Sequence, residues 1–72
     1  MSRRHLTERE LEIVALVAAG LTSKQIGRTL KLSLWTVQTH RRNIMQKLRV
    51  KNGISMVNVA VRRGLLDDHQ RK

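Results

Sequence analysis

The sequence predicts an all-α fold of four helices, and three observations carry that expectation. Apolar residues recur at the three-to-four spacing of a helix, and no segment alternates with period two for long enough to make a strand. Side chains that cap helix starts, and glycines that close helix ends, fall at regular places along the chain. Proline is absent, and no internal repeat or low-complexity stretch interrupts the pattern.

The elements follow in order. Thr7 with Glu10 forms a capping box, and Glu8, Glu10 and Glu12 then sit where the helix dipole favours negative charge. This first helix carries Leu11, Val14, Ala15 and Ala18 at helical spacing, and Gly20 ends it. Thr22 with Gln25 makes a second box, opening a short helix whose core contacts are Ile26 and Leu30. Lys31-Leu32 connects it to a third helix, capped by Ser33 and running to about Arg49. Asn52-Gly53 breaks the chain again, and a fourth helix spans about Ile54 to Arg63, closed by Gly64. Residues 1–5 read as a flexible arm or linker remnant and 67–72 as a flexible charged tail, leaving 6–66 as the folded domain.

A chain of 72 residues makes one domain, and one this short buries only ~60% of its unfolded surface. No cysteine is present, which excludes disulfides and thiolate metal sites. No apolar run approaches the ~18 residues of a membrane span and no signal-peptide pattern is seen, so a cytoplasmic location is expected. Charge is more informative: 15 Lys and Arg stand against 5 Asp and Glu, a formal net charge of +10. The acids are Glu8, Glu10 and Glu12 at one end and Asp67 and Asp68 at the other. Between Ile13 and Leu66 there is none, while ten Lys and Arg fall there. Such a chain repels itself unless its partner is a polyanion, with nucleic acid the leading candidate and a membrane surface the second.

Enzyme chemistry has little to stand on. His5, His40 and His69 lie far apart, no carboxylate pair or metal-ligand spacing occurs, and no glycine loop could cradle a phosphate. His5 and His69 are read as exposed terminal residues. No metal, cofactor or small-molecule ligand is expected.

The third helix points to a function. Val37, Ile44 and Leu48 fall on one narrow stripe, while the other side carries Gln38, Thr39, Arg42 and Gln46 with no acid among them. A short helix, a tight turn and a longer helix with a polar, basic outer face describe helix-turn-helix geometry. In that geometry the second helix of the pair lies in the major groove and its first turns reach base edges.

The motifs LTERE (Leu6–Glu10), GLTSKQI (Gly20–Ile26) and LS..TV..H..NI..KL.V.N (Leu32–Asn52) resemble the LuxR-type (NarL/FixJ) DNA-binding domain, over about residues 6–66. The resemblance implies a four-helix helix-turn-helix domain of a bacterial transcriptional regulator, in the cytoplasm at the nucleoid, found in response regulators and quorum-sensing activators. Its partners would be double-stranded promoter or operator DNA, a second copy on DNA, and RNA polymerase. The recognition helix would be residues 33–49. Gln38, Thr39 and Arg42 match the family's base-contacting positions, and their chemistry suits base reading. Arg pairs bidentately with guanine, Gln with adenine, and a Thr methyl packs on a thymine methyl.

Thr22, Ser23 and Lys24 open the second helix, and Ser33 and Thr36 the third, where free N–H groups and the positive dipole end suit phosphate. Capping is the simpler role of Thr22 and Ser33 and leaves room for such a contact. His40, Arg41 and Lys47 resemble family positions near the DNA backbone; such contacts fix register without reading sequence. The wheel places the Arg41 stem against the domain and its head at the rim, and His40 as a hydrogen-bonded boundary residue. Two positions depart from the family pattern. Trp35 stands where the family often has a polar residue; it faces outward beside Arg42 and Gln38, either to pack on sugar or a thymine methyl or to cover Lys31. Gly53 replaces the family's usual Arg.

On the fourth helix, Met56, Val57, Ala60, Val61 and Gly64 are expected to pack on the first helix. Ser55, Asn58, Val59 and Arg62 are expected to face away, where the family has its dimer contact. Two other readings compete. The DNA-binding end of a sigma factor shares LTERE-like and KQI-like elements, but the TV..H..NI..KL.V.N run favours the LuxR type. A basic amphipathic membrane-binding protein fits the charge, but not the capping boxes and tight turns of a packed domain.

Overall fold

The computed structural model describes residues 6–66; the expected arm (1–5) and tail (67–72), with His5 and His69, lie outside the described residues. Four helices follow one another: α1 (Glu8–Ala18), α2 (Ser23–Leu30), α3 (Leu34–Leu48) and α4 (Gly53–Arg62), with no strand among the described residues.

Each helix starts on a side chain that satisfies its free N–H groups. In α1 the Glu10 amide donates to Thr7 Oγ1 at 3.1 Å, while the Thr7 amide donates to Glu10 Oε1 at 2.9 Å. Thr22 and Gln25 repeat the box in α2, at 3.1 and 2.8 Å. Ser33 Oγ accepts from the Thr36 amide at 3.0 Å and donates to Thr36 Oγ1 at 2.9 Å. In α4, Asn52 is the cap, its Oδ1 accepting from the Ser55 amide at 2.8 Å. Gly53 is therefore the first residue of α4 rather than part of a break, one residue earlier than the sequence suggests. Losing a cap of this kind costs ~1 kcal/mol.

The ends divide into two kinds. After α1 and α4, Gly20 (φ 97°) and Gly64 (φ 73°) turn left-handed, as their positions in the sequence imply. After α2 and α3 the left-handed residue is Lys31 or Arg49, each at φ 61°. That conformation costs an L-residue roughly 1–2 kcal/mol. The wrapping hydrogen bonds (Leu32 N–H to Gly27 O at 2.8 Å, Val50 N–H to Met45 O at 2.9 Å) and a cation at the negative end of the dipole offset it.

Helices α1 and α3 each touch the three others. Ile13, Val14, Ile26, Val37, Ile44 and Met56 are fully enclosed between them, each contributing roughly 1.5–3 kcal/mol of apolar burial. On α3 the buried residues are Val37, Ile44 and Leu48, the expected stripe. Two expectations are corrected. On α1, Ile13 enters the core and Ala18 is exposed. On α4, Val59 does not face away; it is 9% exposed and belongs to the core. Both helices lie in a corner with neighbours on more than one side, so more than one stripe is covered.

The α2–α3 turn is held by a close approach. A Cβ added to Gly27 would lie 2.7 Å from the Leu32 carbonyl oxygen, so the turn closes directly onto α2. Only glycine permits this without a shift, and the approach sets how α3 leaves the turn.

Candidate nucleic-acid interface

The face of α3 opposite its buried stripe is formed by Trp35, Gln38, Arg42, Asn43 and Gln46, all exposed or half-exposed. Trp35 is the chain's only aromatic residue, and it lies outside the core with 72% of its surface exposed. Beside it, Leu34 is 47% exposed, an apolar addition that helical periodicity does not single out. Thr39 is half-buried, and its hydroxyl oxygen is enclosed without a hydrogen-bond partner. What Thr39 presents outward is therefore not its hydroxyl, in keeping with a reading role for its methyl group.

The N-terminal rim holds two different sets of residues. Thr22, Lys24 and Ser33 are exposed or nearly so, with the Thr22 and Ser33 oxygens engaged as caps; Thr36 is half-buried in the Ser33 cap. Ser23 and Arg41 are brought together instead: Arg41 Nη1 donates to Ser23 Oγ at 3.1 Å, tying α3 to the first turn of α2. The same guanidinium fills the space beside Gly53, where an added Cβ would lie 3.0 Å from Arg41 Nη2. The side chain missing at Gly53 thus leaves room for the Arg41 head. His40 is half-buried at the edge of the stripe, but its ring makes none of the side-chain hydrogen bonds found among the described residues.

Lys47 has a partner that no spacing in the sequence announces. Its Nζ donates to Glu10 Oε1 at 2.8 Å across the α1–α3 contact, and the Glu10 side chain is only 5% exposed. The ammonium is thus paired with an internal carboxylate, while the Lys47 side chain stays 36% exposed. The acid-free stretch of sequence is thus not acid-free in space at this point. The other ion pair among the described residues, Arg9–Glu12 at 3.2 Å, lies within α1. Arg42 faces solvent with no ion-pair partner among the described residues.

Outward on α4, Ile54, Asn58 and Arg62 form a ridge at four-residue spacing, and Ile54, 78% exposed, is the most exposed large apolar residue described. A groove lies on either side of the ridge. One is bounded by Val17, Ala18 and Val57 of α1 and α4, with Arg41 at its edge. The other, of about 480 Å³, has Leu48, Val50 and Val59 together with Ser55, Asn58 and three arginines. Of the four residues expected at a dimer contact, Asn58 and Arg62 are on the ridge, Ser55 is a half-buried groove wall and Val59 is core.

Among the described residues no group of His, Cys, Asp or Glu could hold a metal ion, and no helix is long and apolar enough to cross a membrane. Residues 4–60 match the family described as "Bacterial regulatory proteins, luxR family" (GerE). Among curated proteins, the chain is 50% identical over 64 residues to "Uncharacterized response regulatory protein YgeK" of Escherichia coli K12, covering 89% of this chain and 44% of that one. It is 44% identical over 64 residues to "Oxygen regulatory protein NreC" of Staphylococcus carnosus, covering 89% of this chain and 30% of that one. It is 51% identical over 47 residues to "Transcriptional regulatory protein LiaR" of Bacillus subtilis, covering 65% of this chain and 22% of that one. The chain thus spans less than half the length of these relatives. No solved structure matches it.

Proposed function

This chain belongs to the luxR family of bacterial regulatory proteins, and from that premise we propose that it binds duplex DNA with α3 in the major groove, as two copies on paired half-sites. At the coarser level it is a helix-turn-helix DNA-binding domain of a transcription regulator. The observation that carries the finer reading is the outward Trp35–Gln38–Arg42 face at the N-terminal part of α3, with no acid paired to it among the described residues.

Gln38 and Arg42 are the base-reading residues in this proposal, with the Thr39 methyl between them and Trp35 packing on sugar or a thymine methyl. Thr22, Lys24, Ser33 and Thr36 face the phosphates on the rim. Ser23, His40 and Arg41 act one step back, with Arg41 holding the α2 terminus in place. The second copy meets the first along the α4 ridge, with Ile54 and Asn58 at the centre and the neighbouring apolar groove receiving the partner's ridge.

Selection of bound duplexes from randomised DNA tests the reading. A defined consensus is expected, and Arg42→Ala is expected to cost ~1–3 kcal/mol on the selected site and far less on random DNA. Equal losses on both would make Arg42 a phosphate residue; no enriched sequence would overturn specific recognition.

A further inference from the structure

Resting on the major-groove placement of α3 proposed above, we infer that Trp35 and Thr39 form an apolar seat for the 5-methyl group of a pyrimidine. Binding then responds to that methyl group alone, on thymine or on cytosine methylated at C5. Two observations put an apolar pair on the reading line of the helix. At ~100° per residue, Trp35, Thr39 and Arg42 each lie about 140–160° round from Val37, pointing away from the buried stripe. Trp35 is also 72% exposed, and the enclosed Thr39 hydroxyl leaves the methyl group of that side chain to face outward. The two are neighbours one turn apart, roughly 6 Å along the axis at ~1.5 Å per residue.

The chemistry of the groove selects the occupant. An indole accepts no hydrogen bond and donates only through Nε1, so its broad face matches none of the polar groups on a base edge. Among the four bases, the apolar group displayed in the major groove is the C5-methyl of thymine. Methylation of cytosine at C5 displays the same group. Sugars line the flanks of the groove, whereas Trp35 projects in nearly the same direction as Arg42, which meets a base edge in this reading. Gln38 and Arg42 recognise donors and acceptors, and neither distinguishes a pyrimidine that carries the methyl from one that lacks it. The apolar pair adds that distinction.

The probe is the duplex selected from randomised DNA, with its thymines replaced by uracil one at a time and bound to the full chain. Uracil keeps every hydrogen-bonding group of thymine and lacks only the methyl. At one position of each half-site the parent is expected to bind the uracil duplex about fourfold more weakly, the equivalent of ~0.8 kcal/mol for one buried carbon at ~1.4 kcal/mol per tenfold. Trp35→Ala is expected to bind the two duplexes equally. Thr39→Ser, which keeps the hydroxyl and removes the methyl, is expected to show a smaller difference than the parent. Because the indole is exposed, Trp35→Ala should melt with the parent.

A second pair of duplexes separates the sources of the methyl group. At the sensitive position, thymine is replaced by cytosine or by 5-methylcytosine, each opposite guanine. The parent is expected to bind the methylated duplex about fourfold more tightly, and Trp35→Ala to bind both equally. A uracil effect without a 5-methylcytosine effect would assign recognition to the thymine base as a whole and overturn the proposal. Equal binding of thymine and uracil duplexes at every position, with affinity still lost in Trp35→Ala, would put the indole on sugar and overturn it. A uracil effect that persists in Trp35→Ala would belong to the duplex and overturn it as well. In each of these cases a preference for the selected site that Arg42→Ala removes leaves the DNA reading intact. Selection that enriches no sequence would overturn that reading, and the methyl seat with it.

Discussion

Glu10 Oε1 accepts from Lys47 Nζ at 2.8 Å and from the Thr7 amide at 2.9 Å, so a single buried oxygen closes the α1 cap and joins α1 to α3. Removing Lys47 leaves a carboxylate that is 5% exposed with one neutral donor. A fully buried pair broken this way would cost ~3–5 kcal/mol. The Lys47 side chain is 36% exposed, so water replaces part of its contribution and about 1–2 kcal/mol is expected for Lys47→Ala. That corresponds to a melting temperature lower by about 5–15 °C. Because the ammonium is already paired with Glu10, the slope of log K against log salt for duplex binding is expected to stay within experimental error of the parent. A slope shallower by roughly one, with no loss of stability, would return Lys47 to the phosphate contacts.

Trp35 offers a direct optical readout, being the only tryptophan and 72% exposed. If it packs on the duplex, its emission is expected to shift to shorter wavelength or be quenched on titration with a selected site. Trp35→Ala should melt within ~0.5 kcal/mol of the parent, as an exposed position does. Its affinity for DNA should fall severalfold with the salt slope unchanged, because an apolar contact releases no counterions. Emission that ignores saturating DNA would remove the indole from the interface.

The enclosed hydroxyl of Thr39 separates the two halves of that side chain. A buried oxygen without a partner costs ~1–3 kcal/mol, whereas a methyl in its place costs nothing of that kind. Thr39→Val is therefore expected to raise stability by about 1 kcal/mol in urea unfolding. It should leave DNA discrimination unchanged, since the thymine-reading methyl remains. Loss of discrimination would show that the hydroxyl turns outward to donate to a base.

What the sequence makes legible is local. The boxes Thr7–Glu10 and Thr22–Gln25 and the Ser33 cap are read directly because a cap and its N–H groups are three residues apart. The buried stripe of α3 is legible for the same reason: one period describes one covered side. The relationships that escape join distant residues. Lys47 meets Glu10 across 37 positions and Arg41 meets Ser23 across 18, and no spacing rule connects such pairs. Lys31 and Arg49 adopt left-handed backbone without the glycine that would announce it. In α4 the pattern shows apolar residues in two directions, and a helical wheel alone leaves only one of them covered. The helix packs against both α1 and α3, so both directions are filled.

That last point makes α4 the place where placement and function can be tested together. Val59 is 9% exposed within the core, and Ile54, on the same helix, is 78% exposed. The same substitution at the two positions should therefore have opposite signatures. Val59→Glu buries a carboxylate with no partner, which costs several kcal/mol against the ~5–15 kcal/mol that a domain has in total. It is expected to lose most of its helical circular dichroism or to melt far below the parent. Ile54→Glu leaves the core untouched and should melt within ~0.5 kcal/mol of it. On DNA, Ile54→Glu should bind a single half-site as the parent does, because α3 is unchanged. On two half-sites it should lose cooperativity, because a two-fold contact brings the introduced carboxylates together where the parent has apolar surface. Gel-shift titrations on one and two half-sites separate these effects. Full cooperativity in a folded Ile54→Glu variant would remove the ridge from the contact between copies, and a stable Val59→Glu variant would mean that the covered side of α4 is not the one described.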